Sequence, residues 1–227
     1  MKTSKLIRKA HRYLGLFIGV QFLFWTISGL YFSWTNIDQI HGDFFKKKPI
    51  EKSFENLIGI EKFKPDLAIK SLKLIQILDK PYYWVNDSLL INAQSGEARA
   101  GITATEAKEI ARRNVLDEYQ ILSVKLITET NMHHEYREKK LPAYVINFEG
   151  NEDINAFVSQ ADGTFQTLRH RNWRWFDFLW MTHTMDYESR DNINNWLLRI
   201  FSTLGLITVM SGFLLWFYTS SWFRKKR

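Results

Sequence analysis

No cysteine occurs anywhere in the 227 residues. That excludes disulfides, iron–sulfur clusters, thiolate zinc sites, covalent C-x-x-C-H haem attachment and cysteine nucleophiles together. It leaves the compartment open, because an exported domain of this size can build an adequate core without disulfides. No G-x-G-x-x-G fingerprint is present, so direct reduction by a nicotinamide dinucleotide is not expected. Acidic residues are missing from both ends of the chain. Lys2, Lys5, Arg8, Lys9 and Arg12 open it, and Arg224, Lys225, Lys226 and Arg227 close it, leaving 22 basic against 24 acidic residues between them. The net charge of +7 thus sits in two short tails, which argues for orientation against anionic lipid rather than for nucleic acid.

Charge is also missing from two long runs. Leu14 to Trp34 holds 21 residues with no formal charge, and Leu197 to Tyr218 holds 22 with Arg199 alone. About 20 helical residues cross a hydrocarbon core, so both runs qualify as spans. The first is too long for a signal-peptide core and no A-x-A-like cleavage site follows it, so a retained anchor is expected. Basic flanks mark the cytoplasmic side. The expected layout is a cytoplasmic N-terminus over 1–12, a span over 13–35 and an extracytoplasmic domain over 36–170. An aromatic interfacial segment over 171–190, a second span over 191–219 and a cytoplasmic C-terminus over 220–227 complete it. Both termini are thus expected to face the cytoplasm.

Between the spans the pattern is α+β. KPYYWVNDSLLINAQSGEARA (80–100) reads as strand, turn, strand, turn, with Tyr83, Val85, Leu89 and Ile91 at alternating positions around Asn86-Asp87-Ser88. LPAYVINFEGNEDINAFVSQADGTFQT (141–167) repeats the plan. Before it, ITATEAKEIARRNV (102–115) has Thr103 three residues ahead of Glu106, the capping-box spacing, and an apolar stripe of Ala104, Ala107, Ile110 and Ala111. A strand over 121–129 follows. The first repeat is less clear: KPDLAIKSLKLIQILD (64–79) reads as a helix with Pro65 near its start, then a strand. The expected fold class is therefore a membrane protein with two transmembrane helices and an α+β domain of two helix-plus-antiparallel-strand repeats.

These motifs carry a resemblance. T-x-x-E-A-x-x-I-A followed by a strand, an aromatic strand and an F-V…D-G-T hairpin looks like a PepSY domain. R-K-x-H-R-x-L-G-L with S-G-L after it, and the closing L-G-L…S-G-F-L-L-W, resemble PepSY-associated transmembrane helices. A two-span chain with one large loop is similar to the small inner-membrane ferric reductases of the VciB type. The resemblance implies heme b, one-electron transfer to ferric iron on the periplasmic side, and His11 and His183 as haem ligands.

On a helix, His11, Gly15, Gly19, Phe22, Thr26, Gly29 and Ser33 share one 80°-wide stripe by the arithmetic of about 100° per residue. Gly15 and Gly19 form a GxxxG pair, which suits helix packing, and a surface clear of side chains equally suits a flat porphyrin. His183 lies in an aromatic belt, NWRWFDFLWMTHTMDYE, of the kind found at membrane interfaces. One span separates His11 from His183, so they are not expected to hold one iron between them. His41 is the expected outer partner of His183, with His170 a weaker one. On the inner side a second His11 from a homodimer partner is the available ligand. His133 and His134 read as a solvated loop. Asp186 and Glu188, with Asp191, are candidate oxygen ligands for the substrate iron, and Asp191 alternatively caps the last helix. A quinol is the candidate electron donor. The rival expectation is a membrane-anchored PepSY binding or regulatory module, a peptidase inhibitor or an accessory subunit of an iron transporter, without redox activity.

Overall fold

The computed structural model describes residues 2–48, 52–62 and 68–220. The chain divides into two units, one of residues 1–36 and 175–227 and the other of residues 37–174.

The first unit is helical. Helix α1 runs from Lys2 to Trp34 and helix α5 from Trp196 to Thr219, with the end of helix α4 (Arg171–Thr184) between them in sequence. Residues Lys5–Trp34 and Trp196–Thr219 are both long and apolar enough to cross a membrane. Their outer faces fit that setting: Leu16 is 74% exposed, Leu206 64% and Phe213 63%. Contiguous apolar surface of this kind is stable against lipid and costly against water. No break marks the expected boundary at 12/13; α1 is already helical at Lys2.

The second unit is α+β. Strands β1 (Leu72–Ile77), β2 (Lys80–Val85), β3 (Leu89–Asn92) and β4 (Ala98–Arg99) form one antiparallel sheet in sequence order. Strands β5 (Ile121–Ile127), β6 (Ala143–Phe148), β7 (Asn155–Ser159) and β8 (Phe165–Arg169) form a second. The β2–β3 hairpin closes through Asn86 and Asp87, both at φ 52°, where short polar side chains tolerate the left-handed region that a tight hairpin turn requires. Helix α3 (Ala104–Asn114) lies before β5, and a short helix α2 spans Ile37–Ile40. One core joins both sheets to α3: Tyr82, Trp84 and Leu90 from the first, Ile146, Ala156 and Val158 from the second, and Ala107, Ile110 and Ala111 from the helix. The helix expected early in 64–79 falls mainly on residues 63–67, outside the described residues; 68–71 are not helical and β1 follows.

The alternation around the first hairpin has a different meaning from the expected one. Tyr82, Trp84 and Leu90 face the core, yet Val85 and Ile91 on the opposite face are also buried. Residues around Ile58 cover that face: the Ile58 amide donates to the Ala93 carbonyl at 2.9 Å, and the Tyr83 hydroxyl donates to the Ile58 carbonyl at 3.1 Å.

The capping box at α3 is complete, and it extends to the first sheet. Thr103 N–H donates to Glu106 Oε2 at 2.8 Å and Glu106 N–H to Thr103 Oγ1 at 3.3 Å. Arg99 on β4 adds a two-pronged pair to the same carboxylate, at 2.8 and 2.5 Å. The Arg99 hydrogen bonds hold the Glu106 carboxyl down at about 2, against a smaller opposing effect of burial. A depressed carboxyl stabilises the fold above its unfolded pKa, about 4.3, and that contribution fades as pH falls through the folded value. Acid titration of the full chain in detergent, followed by tryptophan fluorescence, is therefore expected to show a loss of stability between about pH 4.5 and 2. Glu106→Gln should flatten that part of the profile; an unchanged profile would refute the assignment.

Candidate functional site

Helices α1 and α5 pack antiparallel, and the small residues at their seam belong to α5. A Cβ on Gly205 would come within 3.0 Å of Phe22 Cζ, and one on Gly212 within 3.2 Å of His11 Cε1. Phe17 and Phe201 stack at 5.8 Å. By contrast, a Cβ on Gly15, Gly19 or Gly29 would meet nothing within 4 Å. Among the described residues the expected GxxxG pair is thus no seam within one chain. It is an open face of α1.

His11 sits beside α5. Its Nδ1 lies 2.8 Å from Ser211 Oγ and 3.2 Å from the Thr208 carbonyl. Ser211 Oγ is itself 2.7 Å from the Thr208 carbonyl, to which it donates. A hydroxyl has one proton, and a carbonyl can only accept. With the hydroxyl proton on that carbonyl, Ser211 accepts from His11, and a neutral ring then carries its proton on Nδ1 and leaves Nε2 as a lone-pair nitrogen.

His183, near the end of α4, repeats the arrangement on a different pair of helices. Its Nδ1 lies 2.7 Å from Ser28 Oγ on α1. Ser28 Oγ lies 2.6 Å from the Phe24 carbonyl and 3.2 Å from the Trp25 carbonyl; with its one proton on its own helix it accepts from His183, whose proton is then on Nδ1. Among the described residues no group hydrogen-bonds either Nε2. Phe32 meets the His183 ring edge-on at 5.5 Å and Trp25 lies at 6.2 Å. Among the described residues the Trp25 indole Nε1 atom, which is buried, has no hydrogen-bond partner.

Helix α4 runs beside the later part of α1. Phe176 and Trp180 lie against Phe32, and Gln21 donates to the Thr182 carbonyl at 3.0 Å. A helix end in an apolar zone leaves carbonyls unpaired, and Gln21 supplies one of the missing donors. The segment expected to lie as an interfacial belt is thus a helix whose end reaches the middle of the first span. Ser28 stands 17 residues beyond His11 on α1, which at 1.5 Å per residue is about 25 Å. Two ligands of one iron stand about 4 Å apart, twice a metal–nitrogen distance. The two histidines are separate positions.

The other candidates are placed as follows. His41 belongs to the second unit, exposed on the turn after α2, whereas His183 belongs to the first. His170 is 1% exposed; one ring nitrogen is hydrogen-bonded to the Ile40 carbonyl and the ring packs edge-on against Phe45, so it serves the core. His133 lies in an irregular exposed segment, and His134 accepts from the Tyr136 amide at 3.0 Å. Asp186 is turned inward. It accepts from Glu188 N, Ser189 N, Ser189 Oγ and Asn192 N, which ties down the loop between α4 and α5. Glu188 is exposed, and among the described residues no group of three or more His, Asp or Glu side chains could hold a metal ion. The pairing of Asp186 with Glu188 as an iron site is not assembled here. The cap of α5 is Asn195, which accepts from Leu198 N at 2.8 Å, rather than Asp191. Its amide also donates to the Thr184 carbonyl at 2.9 Å and so links α4 to α5.

The residues not singled out as site residues are Ser28, Ser211 and Trp25. The signal for the serines was present, since they are the first letters of S-G-L and S-G-F.

Two apolar helices long enough to span a bilayer flank a domain of two antiparallel sheets with helices, which defines a membrane protein with a PepSY-like domain. The chain belongs to the family of the PepSY-associated TM region, whose model matches residues 1–218. Among curated proteins and among solved structures, no chain matches this one.

Proposed function

We propose that this protein is a haem b-containing ferric reductase of the bacterial inner membrane, passing electrons to Fe(III) on the periplasmic side to supply Fe(II) for uptake. The observation that carries the reading is the matched pair of histidines, each with Nδ1 hydrogen-bonded to a serine and Nε2 free. Metal-ligating histidines characteristically donate their second ring N–H in this way. The surroundings fit a large flat group. Gly15 and Gly19 leave the face after His11 clear, and the Trp25 Nε1 atom, inaccessible and without a hydrogen-bond partner among the described residues, has a donor to offer near His183.

In this reading His11 and His183 would each supply one nitrogen to a haem iron, at two separate positions along the first span. The second ligands come from outside the first unit, and a second copy of the chain in a homodimer is the source we favour. Haem, once bound, supplies a one-electron Fe(III)/Fe(II) couple. The chain's own part is to hold each imidazole in one tautomer, keep the ring surroundings apolar and leave a flat seat. The basic N-terminal segment places the start of α1 at the cytoplasmic face and the α+β domain outside. A quinol in the bilayer is the proposed donor.

The test is the absorption spectrum of the purified protein, oxidised and dithionite-reduced, with a pyridine haemochrome count per chain. A sharp reduced α band and reoxidation by a ferric chelate, with Fe(II) trapped, are expected. Two sites shared across a dimer give one haem per chain, and one shared site gives half. A protein that stays colourless when haem is supplied during expression would overturn the proposal and leave a membrane-anchored PepSY binding module.

A further inference from the structure

We infer that Ser28 and Ser211 are positioning residues that fix the ligating nitrogen of His183 and His11, and that Ser28 has the larger effect; this rests on the haem reading above. The pairing is crosswise. The serine of the first span's S-G-L serves the histidine of α4, and the serine of the last span's S-G-F serves the histidine of α1. In both pairs the hydroxyl proton is spent on the serine's own helix, at 2.6 Å to the Phe24 carbonyl and 2.7 Å to the Thr208 carbonyl. Each serine therefore presents only lone pairs to the imidazole. It accepts from Nδ1–H and disfavours the other tautomer, in which the hydroxyl would have to leave its own helix to donate to Nδ1.

The two positions differ in their reserve. His11 Nδ1 has a second acceptor, the Thr208 carbonyl at 3.2 Å. Among the described residues His183 Nδ1 has Ser28 alone, and Ser28 is fully buried. Removing the Ser28 hydroxyl leaves the His183 N–H with no acceptor among the described residues, so the tautomer preference at that ring is lost. Removing the Ser211 hydroxyl lets His11 turn to the carbonyl and keep its preference. A serine that merely packs would show no such order. An accepting group behind a ligating histidine also raises its basicity, which favours the ferric state.

The experiment compares wild type with Ser28→Ala, Ser211→Ala and the exposed Ser202→Ala as control. Histidine 15N shifts are read on haem-free protein, and haem affinity and midpoint potentials on loaded protein. Wild type should show Nδ1–H, Nε2-unprotonated rings at both positions. Ser28→Ala should give a tautomer mixture at His183, a tenfold or greater loss of haem affinity there and a more positive midpoint potential. Ser211→Ala should show smaller changes at His11, and Ser202→Ala none. Ser28→Thr keeps a hydroxyl that can bond back to the preceding turn, so it should restore the tautomer. If wild type binds haem while Ser28→Ala leaves tautomer, affinity and potential unchanged, the inference is overturned and the haem reading stands. If wild type takes up no haem, both fall, and at a different measurement.

Discussion

Replacing His183 by alanine is expected to remove one of the two haem signals, and replacing His11 the other. The argument rests on distance. The two positions are separated by about 25 Å along α1, they share no side chain, and each histidine has its own serine. Sites that far apart without shared partners respond independently. Each single variant should therefore lose one spectral component and leave the other at its wild-type potential, and the double variant should be colourless. Ferric reduction should fall to background in either single variant if electrons cross both sites in series. The folded state should survive. His183 makes one such hydrogen bond and His11 shares its Nδ1 between a serine and a carbonyl, each bond worth about 1 kcal/mol, and the α1–α5 seam retains Phe17 on Phe201 and Phe22 on Gly205. Circular dichroism in detergent checks that point on the same samples. If a single variant bleaches both components together, the sites are coupled and the two-position reading is wrong. If neither changes the spectrum, the ligands are elsewhere.

Much of this architecture is legible in the amino-acid order, and the illegible parts have identifiable causes. An uncharged run of 21 residues has few stable homes other than a bilayer, so the spans can be read. The capping box at Thr103 and Glu106 can be read because its two partners are local, but nothing local reveals that Arg99 joins them from a strand. Helix α4 is harder. Its aromatic residues crowd neighbouring positions, which suggests a belt, yet Phe176, Trp180 and His183 at steps of four and three form the side that meets α1. Asp191 and Asn195 are both capable caps in DNINN, and only the start of α5 at Trp196 decides between them. The serine partners lie 155 and 200 residues from their histidines. No periodicity argument reaches that far; only the repeated S-G dipeptide hints at a shared role.

Leucine at Gly15 or Gly19 is expected to abolish haem at the His11 position while leaving the chain folded. Within one chain a Cβ at either glycine meets nothing within 4 Å among the described residues, so the backbone there has room for a side chain to start. Helix propensity even favours the substitutions, by about 0.8–1.0 kcal/mol for replacing glycine. A face that is free in one chain and yet free of side chains must be explained by what lies against it. Lipid does not require glycine there, since leucine is as compatible with acyl chains as any residue. A porphyrin plane or a closely approaching helix does require it, because a leucine side chain on that face would hold either away. Haem content, oligomeric state and circular dichroism together separate the occupants. Loss of haem with a folded chain supports the seat on α1. Loss of the dimer with haem retained makes the face a packing seam and moves the porphyrin elsewhere. Full haem and an intact dimer in both variants would make it a lipid-facing surface and remove the glycines from the site. Gly212→Leu gives the contrasting case. Its Cβ would stand 3.2 Å from His11 Cε1, so it should displace the ring itself and alter the His11 15N signature in haem-free protein, which Gly15→Leu and Gly19→Leu should leave untouched.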